Sequence, residues 1–350
     1  MKILYGVQGT GNGHISRACA MAEAFRKYQD IEITWLLSGR EKARGCGDIQ
    51  NFLWREGITF VVKAGKINVV ETLMNFNFSS FRQDVNELDL KPYDLIISDF
   101  EPVISHAAKK QNLPVVGIGH QYAFNYDIPT KGANFISKSI MQRFAPVTLG
   151  VGLHWHHFGY PILPPIIDLV IPAIMPPVIQ NKVLVYLPFE SPAKIRELFS
   201  GMDNFEFYIY HPELKDTDEG NLHCRAISRT SFKDDLISSR HVITNGGFEL
   251  ISECLQIGKS ILVKPLMGQM EQLSNAHALD KLGYAKILNK LEFNAIFNWL
   301  SQDNEIIQLS YPDVASKLAE WIAGGCQAGV ETLAEELWQE PYLQDQRLAS

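Results

Sequence analysis

Residues Lys2–Arg17 read KILYGVQGTGNGHISR, a short apolar run followed by a glycine-rich loop and the start of a helix. The run Lys2–Val7 predicts a buried strand. Gly9, Gly11 and Gly13 lie within five residues, and glycine lets the backbone turn sharply and bring its amide groups close to a ligand. Their spacing is not the Gly-x-Gly-x-x-Gly of dinucleotide-binding turns, so neither a nicotinamide nor any other cofactor is predicted.

His14 stands where this loop leads into the predicted helix 16–28. The positive end of a helix dipole favours the neutral form of a histidine, which suits a general base that takes a proton from a hydroxyl group. The alternative interpretation is that His14 only caps the helix or packs under the loop. The same loop offers further residues for contact with a substrate: Thr10, Gly11, Asn12, Gly13 and Arg17.

The rest of the chain alternates short β-branched runs with helical stretches, which is typical of parallel sheets. The predicted strands are 2–7, 32–37, 93–98, 115–118 and 148–157 in the first half, and 182–187, 205–210, 241–244 and 261–263 in the second. Further helices are predicted at 247–257, 271–283 and 331–338. The sequence therefore predicts an α/β fold with two Rossmann-like halves.

A proline-rich segment separates the halves. Residues 159–177 contain six prolines among apolar side chains, a composition that sustains neither a helix nor a central strand. We predict an N-terminal domain at 1–160, a linker at 161–181, a C-terminal domain at 182–325 and a final segment at 326–350 that folds back across the hinge.

Bulk composition narrows the class of protein. The formal net charge of −7 offers no basic field for a phosphate backbone, so nucleic acid is not an expected partner. The five cysteines form no Cys-x-x-Cys pair, which favours reduced structural thiols. No run reaches the roughly 20 apolar residues of a bilayer span, and no apolar leader precedes the first strand, so a cytoplasmic location is predicted. A peripheral membrane contact through 162–174 is the alternative to interdomain packing of that segment.

Ligands of open parallel sheets bind beyond the carboxyl ends of the strands. One loop in this position consists of Asn245, Gly246, Gly247 and Phe248. Paired glycines at a helix start offer amide groups to an anion such as a pyrophosphate. Glu253 follows one turn after Glu249 on the same helix face, where it can accept hydrogen bonds from ribose hydroxyls. Glu249 itself is explained as a partner of the helix dipole.

Two other loops of the second half carry candidate residues. Glu271 and Gln272 stand side by side at a helix start, and a carboxylate beside an amide can hold vicinal sugar hydroxyls. The alternative for Glu271 is helix capping. Ser191 follows strand 182–187 and would face the same cleft, where its hydroxyl could reach a phosphate.

The first half adds three candidates after its strands. Asp99 and Glu101 follow strand 93–98, and His120 follows strand 115–118. Asp99 is expected to assist His14, or to contact a substrate together with Glu101, and a capped strand end is an equally weighted alternative. His120 is expected to point into the cleft between the halves.

His154 and His156 would share one face of strand 148–157, a spacing that metal ligands also use. No third ligand is evident in the sequence, so aromatic packing near the hinge, or a contact with the substrate, is favoured over a metal site.

The stretch Asn245–Glu253, followed by Glu271-Gln272 and Asn275-Ala276, resembles the donor-binding signature of inverting GT-B glycosyltransferases. Among these the chain resembles the peptidoglycan N-acetylglucosaminyltransferase and galactolipid synthase superfamily. It also resembles poorly characterised prokaryotic glycosyltransferases that share the Gly-x-Gly-x-Gly-His start. The resemblance implies two Rossmann-like domains that face a central cleft, a UDP-sugar donor and a place in cell-envelope or glycolipid synthesis. The acceptor is not indicated.

Carried over by position, Gly246 and Gly247 would hold the diphosphate, Glu253 the ribose, and Glu271 with Gln272 the donor sugar. His14 would face the acceptor and the reacting centre. The chain departs from the family at two positions. Plant small-molecule transferases have histidine in place of Asn245, and the peptidoglycan enzyme has glutamine in place of Glu271, so the sugar and the phosphate contacts need not be the same.

The resemblance also bears on stereochemistry. Retaining members of the fold have a Glu-x7-Glu pair whose second member would fall on Glu253 and whose first would fall on Asn245. Because this first carboxylate is missing, inversion is expected, with His14 as base and a helix dipole that stabilises the leaving diphosphate. On this interpretation of the reaction, a metal is not required.

Three rival functions remain open. The segment Gly13-His14-Ile15-Ser16-Arg17 also resembles the Gly-His-x-x-Arg segment of nucleotide-sugar hydrolases, in which the histidine activates water. A nucleotide-sugar 2-epimerase shares the fold but starts with a Thr-Arg-Pro-Glu that is absent here. A non-catalytic nucleotide-sugar-binding protein would need Glu253 and the glycines but no base at His14.

Overall fold

The computed structural model of the chain describes residues 1–39, 49, 51–58, 62–63, 66–67, 77–132, 135–169, 172, 174–339 and 346–348. Within these residues the fold is built on two large sheets, one in each half of the chain.

The first half forms a sheet of six parallel strands in the order β3-β2-β1-β6-β7-β8. Its elements are β1 (Lys2–Gln8), α1 (Asn12–Phe25), β2 (Glu32–Ser38), β3 (Phe52–Arg55), β4 (Val62–Lys63), β5 (Lys66–Ile67), α2 (Phe78–Glu87), β6 (Leu95–Asp99), α3 (Pro102–Gln111), β7 (Val116–Gly119), a 3-10 helix (His120–Asn125), α4 (Phe135–Phe144) and β8 (Leu149–Gly152). Apart from the short hairpin β4–β5, this is the strand order of a Rossmann-like sheet.

The second half repeats this order in a sheet of seven strands, β11-β12-β10-β9-β13-β14-β15, in which only β11 is antiparallel. Its elements are β9 (Ile179–Tyr186), α5 (Pro192–Phe199), β10 (Glu206–Tyr210), β11 (Thr217–Glu219), β12 (Leu222–Arg225), α6 (Arg229–Ser238), β13 (Ser239–Thr244), α7 (Phe248–Gln256), β14 (Ser260–Val263), α8 (Met270–Leu282), β15 (Lys286–Ile287), α9 (Phe293–Ser301), β16 (Ile306–Gln308), α10 (Val314–Ala323), α11 (Val330–Gln339) and β17 (Gln346–Leu348).

The central strand of each sheet contains a run of fully buried residues. Ile3–Tyr5 in β1 and Val183–Val185 in β9 have no exposed surface. A parallel sheet covered by helices on both faces buries alternate side chains on each face, so its inner strands are apolar throughout. This burial holds the carboxyl ends of β1 and β9, and the loops that follow them, in fixed positions.

The helix after β1 begins earlier than expected. The predicted start at Ser16 is wrong, because α1 begins at Asn12 and has Gly11 as its N-cap. Glycine has no side chain that marks an N-cap, so the sequence pattern indicates the helix only from its first apolar residues onward. His14 therefore lies inside the first turn of α1.

The last strand of the first half is shorter than expected. The predicted strand 148–157 is wrong beyond Gly152, where β8 ends. Phe158 and Gly159 have positive φ angles, so the chain turns instead of continuing as a strand. Trp155 is 1 % exposed, and its Nε1 donates to Ser252 Oγ at 2.8 Å. The segment after β8 is therefore held by a contact with the second half.

The end of the chain returns to the first half. Helix α10 packs against α1, where Lys27 Nζ donates to Ser316 Oγ at 3.0 Å. The predicted final helix is confirmed as α11, and Trp338 Nε1 donates to the carbonyl oxygen of Ile162 at 2.6 Å. One continuous cluster of buried side chains, which includes Ile3 and Leu184, joins the two halves.

Among the described residues, no helix has both the length and the apolar character needed to cross a bilayer.

Candidate active site

The carboxyl ends of β1 and β6 bring His14 and Asp99 together. Nδ1 of His14 lies 2.8 Å from Oδ1 of Asp99. Asp99 is the last residue of β6 and is completely buried, whereas the side chain of His14 is 13 % exposed. The pair therefore consists of a buried carboxylate and an imidazole ring that solvent or a substrate can reach.

Arg17 holds the buried carboxylate from the other side. It lies one turn after His14 on α1, and its Nε and Nη2 donate to Oδ2 and Oδ1 of Asp99 at 2.8 and 2.6 Å. Burial alone would raise the pKa of Asp99, but Arg17 and His14 outweigh it, so the pKa lies below its usual value. Asp99 is accordingly an ionised acceptor.

The protonation of His14 at Nδ1 follows from these contacts. Nη2 of Arg17 also lies 2.9 Å from this atom, so the guanidinium and Asp99 compete for it. Nη2 has two hydrogens and donates one of them to Asp99 Oδ1. Since the ionised carboxylate only accepts, we assign the tautomer with the hydrogen on Nδ1 of His14, which gives Asp99 a further donor. A neutral ring then keeps its lone pair on Nε2, the arrangement that a general base requires.

Glu249, in the first turn of α7, reaches this cluster from the second half. Its Oε1 accepts a hydrogen bond from Nη1 of Arg17. A Cβ atom at residue 13 would collide with the carboxylate of Glu249, so Gly13 is needed for this close approach. In the sequence, Glu249 is explained as a partner of the helix dipole, and no local pattern indicates its contact with the first half.

The paired glycines after β13 have different surroundings. Gly246 donates from its amide to Gln272 Oε1 at 3.2 Å, and Leu266 donates to the same oxygen at 2.8 Å. Gly247 is the N-cap of α7, and among the described residues nothing lies within 4 Å of the position its Cβ would take. Of the two predicted diphosphate ligands, Gly247 therefore has room for a ligand, whereas the amide of Gly246 is already bonded.

This bonding changes the expected role of Gln272. Its carbonyl oxygen joins the loop after β13 to the loop after β14, and the residue is 6 % exposed. The expectation that this oxygen is available to a sugar is corrected, because two backbone amides already donate to it. The amide nitrogen of Asn245 is also already bonded, because Nδ2 donates to the carbonyl oxygen of Lys264 at 2.8 Å.

Glu271 faces the opposite half. It lies in the first turn of α8, and its Oε2 accepts a hydrogen bond from Nε2 of Gln121 at 3.2 Å. Gln121 follows directly after His120 in the 3-10 helix and was not among the predicted site residues. The only sequence signal for Gln121 is its position in a loop at the carboxyl end of a strand.

Glu253 lies deeper in α7 than the loop residues. It is 5 % exposed, and burial raises its pKa to about 8. Lys233 Nζ lies 3.7 Å from Glu253 Oε1 and 2.9 Å from Asp168 Oδ2. Asp168 also pairs with Arg229 at 2.6 Å. Since Asp168 belongs to the proline-rich segment, these ion pairs join that segment to α6 beside Glu253.

Glu101 has a structural role. It is completely buried and caps α3, because its carboxylate accepts from the amides of Val103 and Ile104 at 2.9 and 2.6 Å and from Ser38 Oγ at 2.5 Å. Burial raises its pKa to about 7. The expected contact with a substrate is therefore corrected to the helix-capping alternative.

His120 and Phe248 form a contact between the halves. Their rings stack at 4.0 Å between centroids with 5° between planes. Nδ1 of His120 lies 2.8 Å from the carbonyl oxygen of Leu153, and Nε2 lies 2.7 Å from Asn275 Oδ1. Both side chains are buried, which corrects their expected substrate contacts to domain packing.

The remaining predicted residues lie at the surface of the cleft loops. Thr10 is exposed and its Oγ1 accepts from Gln8 Nε2 at 3.2 Å. Asn12 Nδ2 donates to the hydroxyl of Tyr186 at 3.2 Å, a further link to the second half. Ser191 is exposed at the N-cap of α5, and no side-chain capping bond is found for it among the described residues.

The histidines near the hinge have aromatic surroundings. Burial lowers the pKa of His154 well below its usual value, and its ring packs edge-on against Trp155 and Phe158. In the described part of the chain, no group of three or more His, Cys, Asp or Glu side chains could hold a metal ion.

Comparison with known proteins identifies the family. The model of glycosyl transferase family 1 matches residues 1–302, and the chain belongs to this family. An uncharacterised glycosyltransferase from Methanosarcina acetivorans is 25% identical over 394 residues, covering 96% of this chain and all of that protein.

Two solved structures show the same architecture at low sequence identity. MurG from Acinetobacter baumannii is 14% identical, covers 97% of this chain and 99% of its own, and has a TM-score of 0.51. The spinosyn rhamnosyltransferase SpnG complexed with thymidine diphosphate is 11% identical, covers 95% of this chain and 94% of its own, and has a TM-score of 0.54. The chain is therefore a glycosyltransferase with the GT-B fold, which confirms the predicted α/β class.

Proposed function

We propose that the protein transfers a sugar from a nucleotide-diphosphate donor to an acceptor hydroxyl, with inversion at the anomeric carbon and His14 as general base. The observation that carries the proposal is the contact between His14 Nδ1 and the buried, ionised Asp99 at 2.8 Å. It leaves Nε2 to accept a proton, and the nearby negative charge stabilises the imidazolium that results.

The reaction follows from this arrangement. Nε2 of His14 takes the proton of the acceptor hydroxyl while the acceptor oxygen forms a bond to the anomeric carbon. The bond from that carbon to the diphosphate oxygen breaks on the opposite face, and its electron pair leaves with the nucleoside diphosphate. The N-terminus of α7 at Gly247 offers a helix dipole for the developing negative charge.

The donor is proposed to lie across the loops of the second half. Gly246 and Gly247 border the diphosphate, Glu253 accepts from the ribose, and Glu271 with Gln272 borders the sugar. The raised pKa of Glu253, about 8, means that ribose hydroxyls would favour ionisation of a carboxyl group that is protonated when the site is empty. On the acceptor side, Thr10 and Asn12 border the opening above His14.

The proposed nucleotide is uridine diphosphate, which rests on the family resemblance. Thymidine diphosphate is the variant to test beside it, because that nucleotide is bound to the structurally similar SpnG. Metal independence is proposed because the N-terminus of α7 offers a helix dipole to the diphosphate. The same proposal places the reaction in the cytoplasm, in cell-envelope or glycolipid synthesis. Peripheral membrane contact of the protein is the alternative to a purely cytoplasmic location.

Hydrolysis of the nucleotide sugar is the second candidate. The segment Gly13–Arg17 carries it, because His14 can take a proton from water as readily as from an alcohol. The two reactions differ only in the molecule that occupies the opening above His14.

The test is mass spectrometry of products from a panel of UDP- and TDP-sugars, with and without cell extract. Transfer predicts nucleoside diphosphate that forms only with extract and a glycosylated product, both lost in His14→Ala. The exposed His277 provides the matched variant, His277→Ala, which should keep full activity. Release of free sugar at equal rates with and without extract would show that the protein is a hydrolase and not a transferase. Nucleotide binding without turnover would favour a sugar-nucleotide sensor.

A further inference from the structure

Two buried amide side chains beside the cleft each keep one carbonyl oxygen without a hydrogen-bond partner among the described residues. These oxygens are Oε1 of Gln121 and Oδ1 of Asn245. Gln121 is 6 % exposed and Asn245 is 3 % exposed. Buried polar atoms are nearly always hydrogen-bonded in native proteins, so an unpaired oxygen at a candidate site can accept a hydrogen bond from a bound ligand or from water.

The neighbours of each amide determine which of its atoms is unpaired. Nε2 of Gln121 donates to Glu271 Oε2 at 3.2 Å, and Nδ2 of Asn245 donates to the carbonyl oxygen of Lys264 at 2.8 Å. Both partners are acceptors, so a flipped amide would place oxygen against oxygen. The unpaired atoms are therefore acceptors, and they need a ligand that donates.

Gln121 lies between the catalytic pair and the donor loops. A Cβ atom on Gly119 would lie 3.3 Å from Gln121 Oε1 and 3.4 Å from Asp99 Oδ1, so both oxygens border the same small space. The other end of the side chain bonds to Glu271, on the loop proposed to hold the sugar. Gln121 thus lies in the first half beside Asp99 and bonds to Glu271 in the second half.

We propose that Gln121 determines donor specificity by accepting a hydrogen bond from a hydroxyl group of the donor sugar, an inference that rests on the proposed function. The carboxylate of Glu271, which accepts from the other end of Gln121, is a further acceptor for the same sugar. The donor is accordingly a hexose with free hydroxyl groups at the positions that face these oxygens. A deoxy sugar would leave Gln121 Oε1 buried and unpaired, and sites built around a hydroxyl reject the analogue that lacks it.

Calorimetric titration tests the inference without knowledge of the acceptor. The affinities of UDP and TDP are measured first, then those of their hexose conjugates and the corresponding deoxy conjugates. The deoxy sugar at the position facing Gln121 should bind about 10- to 100-fold more weakly than the parent sugar. Binding of the free nucleotide should not depend on Gln121.

Gln121→Met keeps the length of the side chain and removes both polar ends. It should abolish the preference for the hydroxylated sugar while changing the affinity for free UDP or TDP less than about twofold, since one lost hydrogen bond to the sugar leaves the nucleotide contacts intact. The matched control is Gln83→Met, because Gln83 also donates to a glutamate, Glu87, at 2.7 Å but on exposed helix α2. That variant should retain the full preference.

Gly119→Ala is a second, independent variant. Its Cβ would press on Gln121 Oε1 without removing any polar group, and it should reduce the same preference. Equal discrimination by wild type, Gln121→Met and Gly119→Ala would overturn the inference and leave Gln121 as a contact between the halves. Tight nucleotide binding with no difference among sugars would also overturn it, whereas failure of both nucleotides to bind would overturn the proposed function itself.

Discussion

Each half contains a buried strand followed by a glycine loop and a helix, β1 and α1 in the first half and β13 and α7 in the second, but the surroundings of the glycines differ. In the first half, Gly13 makes room for the carboxylate of Glu249 from the opposite half. In the second half, Gly246 makes room for the backbone of Gln272 in the same half, whose carbonyl oxygen would lie 2.8 Å from an added Cβ atom. One loop thus forms an electrostatic contact between domains, and the other a packing contact within a domain.

The charges of the two loops differ in the same way. The first loop leads to His14, Arg17 and Asp99, in which two charged groups are almost completely removed from water. The second loop is organised by neutral amides, those of Asn245 and Gln272. A buried ion pair is costly to break because it leaves an uncompensated charge, whereas a neutral amide costs less. This difference supports the proposal that the first loop takes part in proton transfer and the second binds the diphosphate.

The largest effect is expected from Asp99→Asn. An amide cannot hold the hydrogen of His14 Nδ1 as a carboxylate does, so kcat should fall by about 10³- to 10⁴-fold, as for the corresponding change in a serine protease triad. Initial rates of nucleoside diphosphate release measure it. Asp94→Asn is the matched control, because Asp94 lies just before the same strand and its carboxylate accepts from the backbone amide of Lys2 at 2.7 Å. A comparable loss in both variants would remove Asp99 from the mechanism.

Arg17→Met should cost about 3–5 kcal/mol of unfolding free energy, because it leaves Asp99 buried without its bidentate partner. Urea denaturation followed by fluorescence measures this value. Arg26→Met is the control on the same helix, since Arg26 and its partner Glu23 are 64% and 66% exposed and such pairs contribute little. Adding Asp99→Asn to Arg17→Met should recover part of the loss, and full additivity would show that the two residues do not interact.

Gly246→Ala should destabilise the second half by about 1–3 kcal/mol, because the added methyl group meets a backbone atom that cannot move aside. In Gly247→Ala the methyl group meets no described atom within 4 Å, so its stability should stay within roughly 0.5 kcal/mol of wild type. Thermal unfolding compares the two. Nucleotide affinity sharpens the contrast, since Gly247→Ala should weaken UDP binding although the fold is unaffected. Equal melting temperatures for both variants would contradict the described packing.

The last expected effect is a pH dependence of the stability. The pKa of Glu253 is raised to about 8 in the folded protein from about 4.3 in an unfolded chain. A raised carboxyl pKa stabilises the fold fully below the unfolded pKa, and this contribution is lost as pH rises through the folded pKa. The melting temperature should therefore fall between pH 5 and 8.5, and the fall should be smaller in Glu253→Gln. The exposed Glu320 supplies the control, Glu320→Gln, which should keep the wild-type slope.

Local patterns predicted the elements well where one strand or helix carries the signal. The buried runs at β1 and β9 and the acidic helix α11 follow from composition and period alone. The start of α1 and the path of 153–157 were predicted wrongly, because a glycine N-cap carries no side-chain signal and because Trp155 anchors the chain to Ser252 of the other half. The sequence contains Trp155 and Ser252, but it does not show that they lie close together in the fold.

Candidate residues divide in the same manner. His14 and Asp99 were found because both follow buried strands of one parallel sheet, and the carboxyl ends of such strands meet at one edge. Glu101 was assigned to the substrate, since a capping carboxylate and a ligand-binding carboxylate look alike in sequence. Gln121 and Glu249 were not chosen as site residues, because their partners Glu271 and Arg17 are 150 and 232 residues away along the chain.

Local sequence patterns predict the two sheets, the glycine loops and the strand-end positions of His14 and Asp99, since apolar runs and strand-end loops are properties of short segments. The distribution of charge in the cleft depends instead on how the two halves pack. The ion pair of Arg17 with Glu249 and the hydrogen bond from Gln121 to Glu271 form because two separately folded halves bring their loops together. That juxtaposition depends on packing of whole domains, which no stretch of sequence encodes alone.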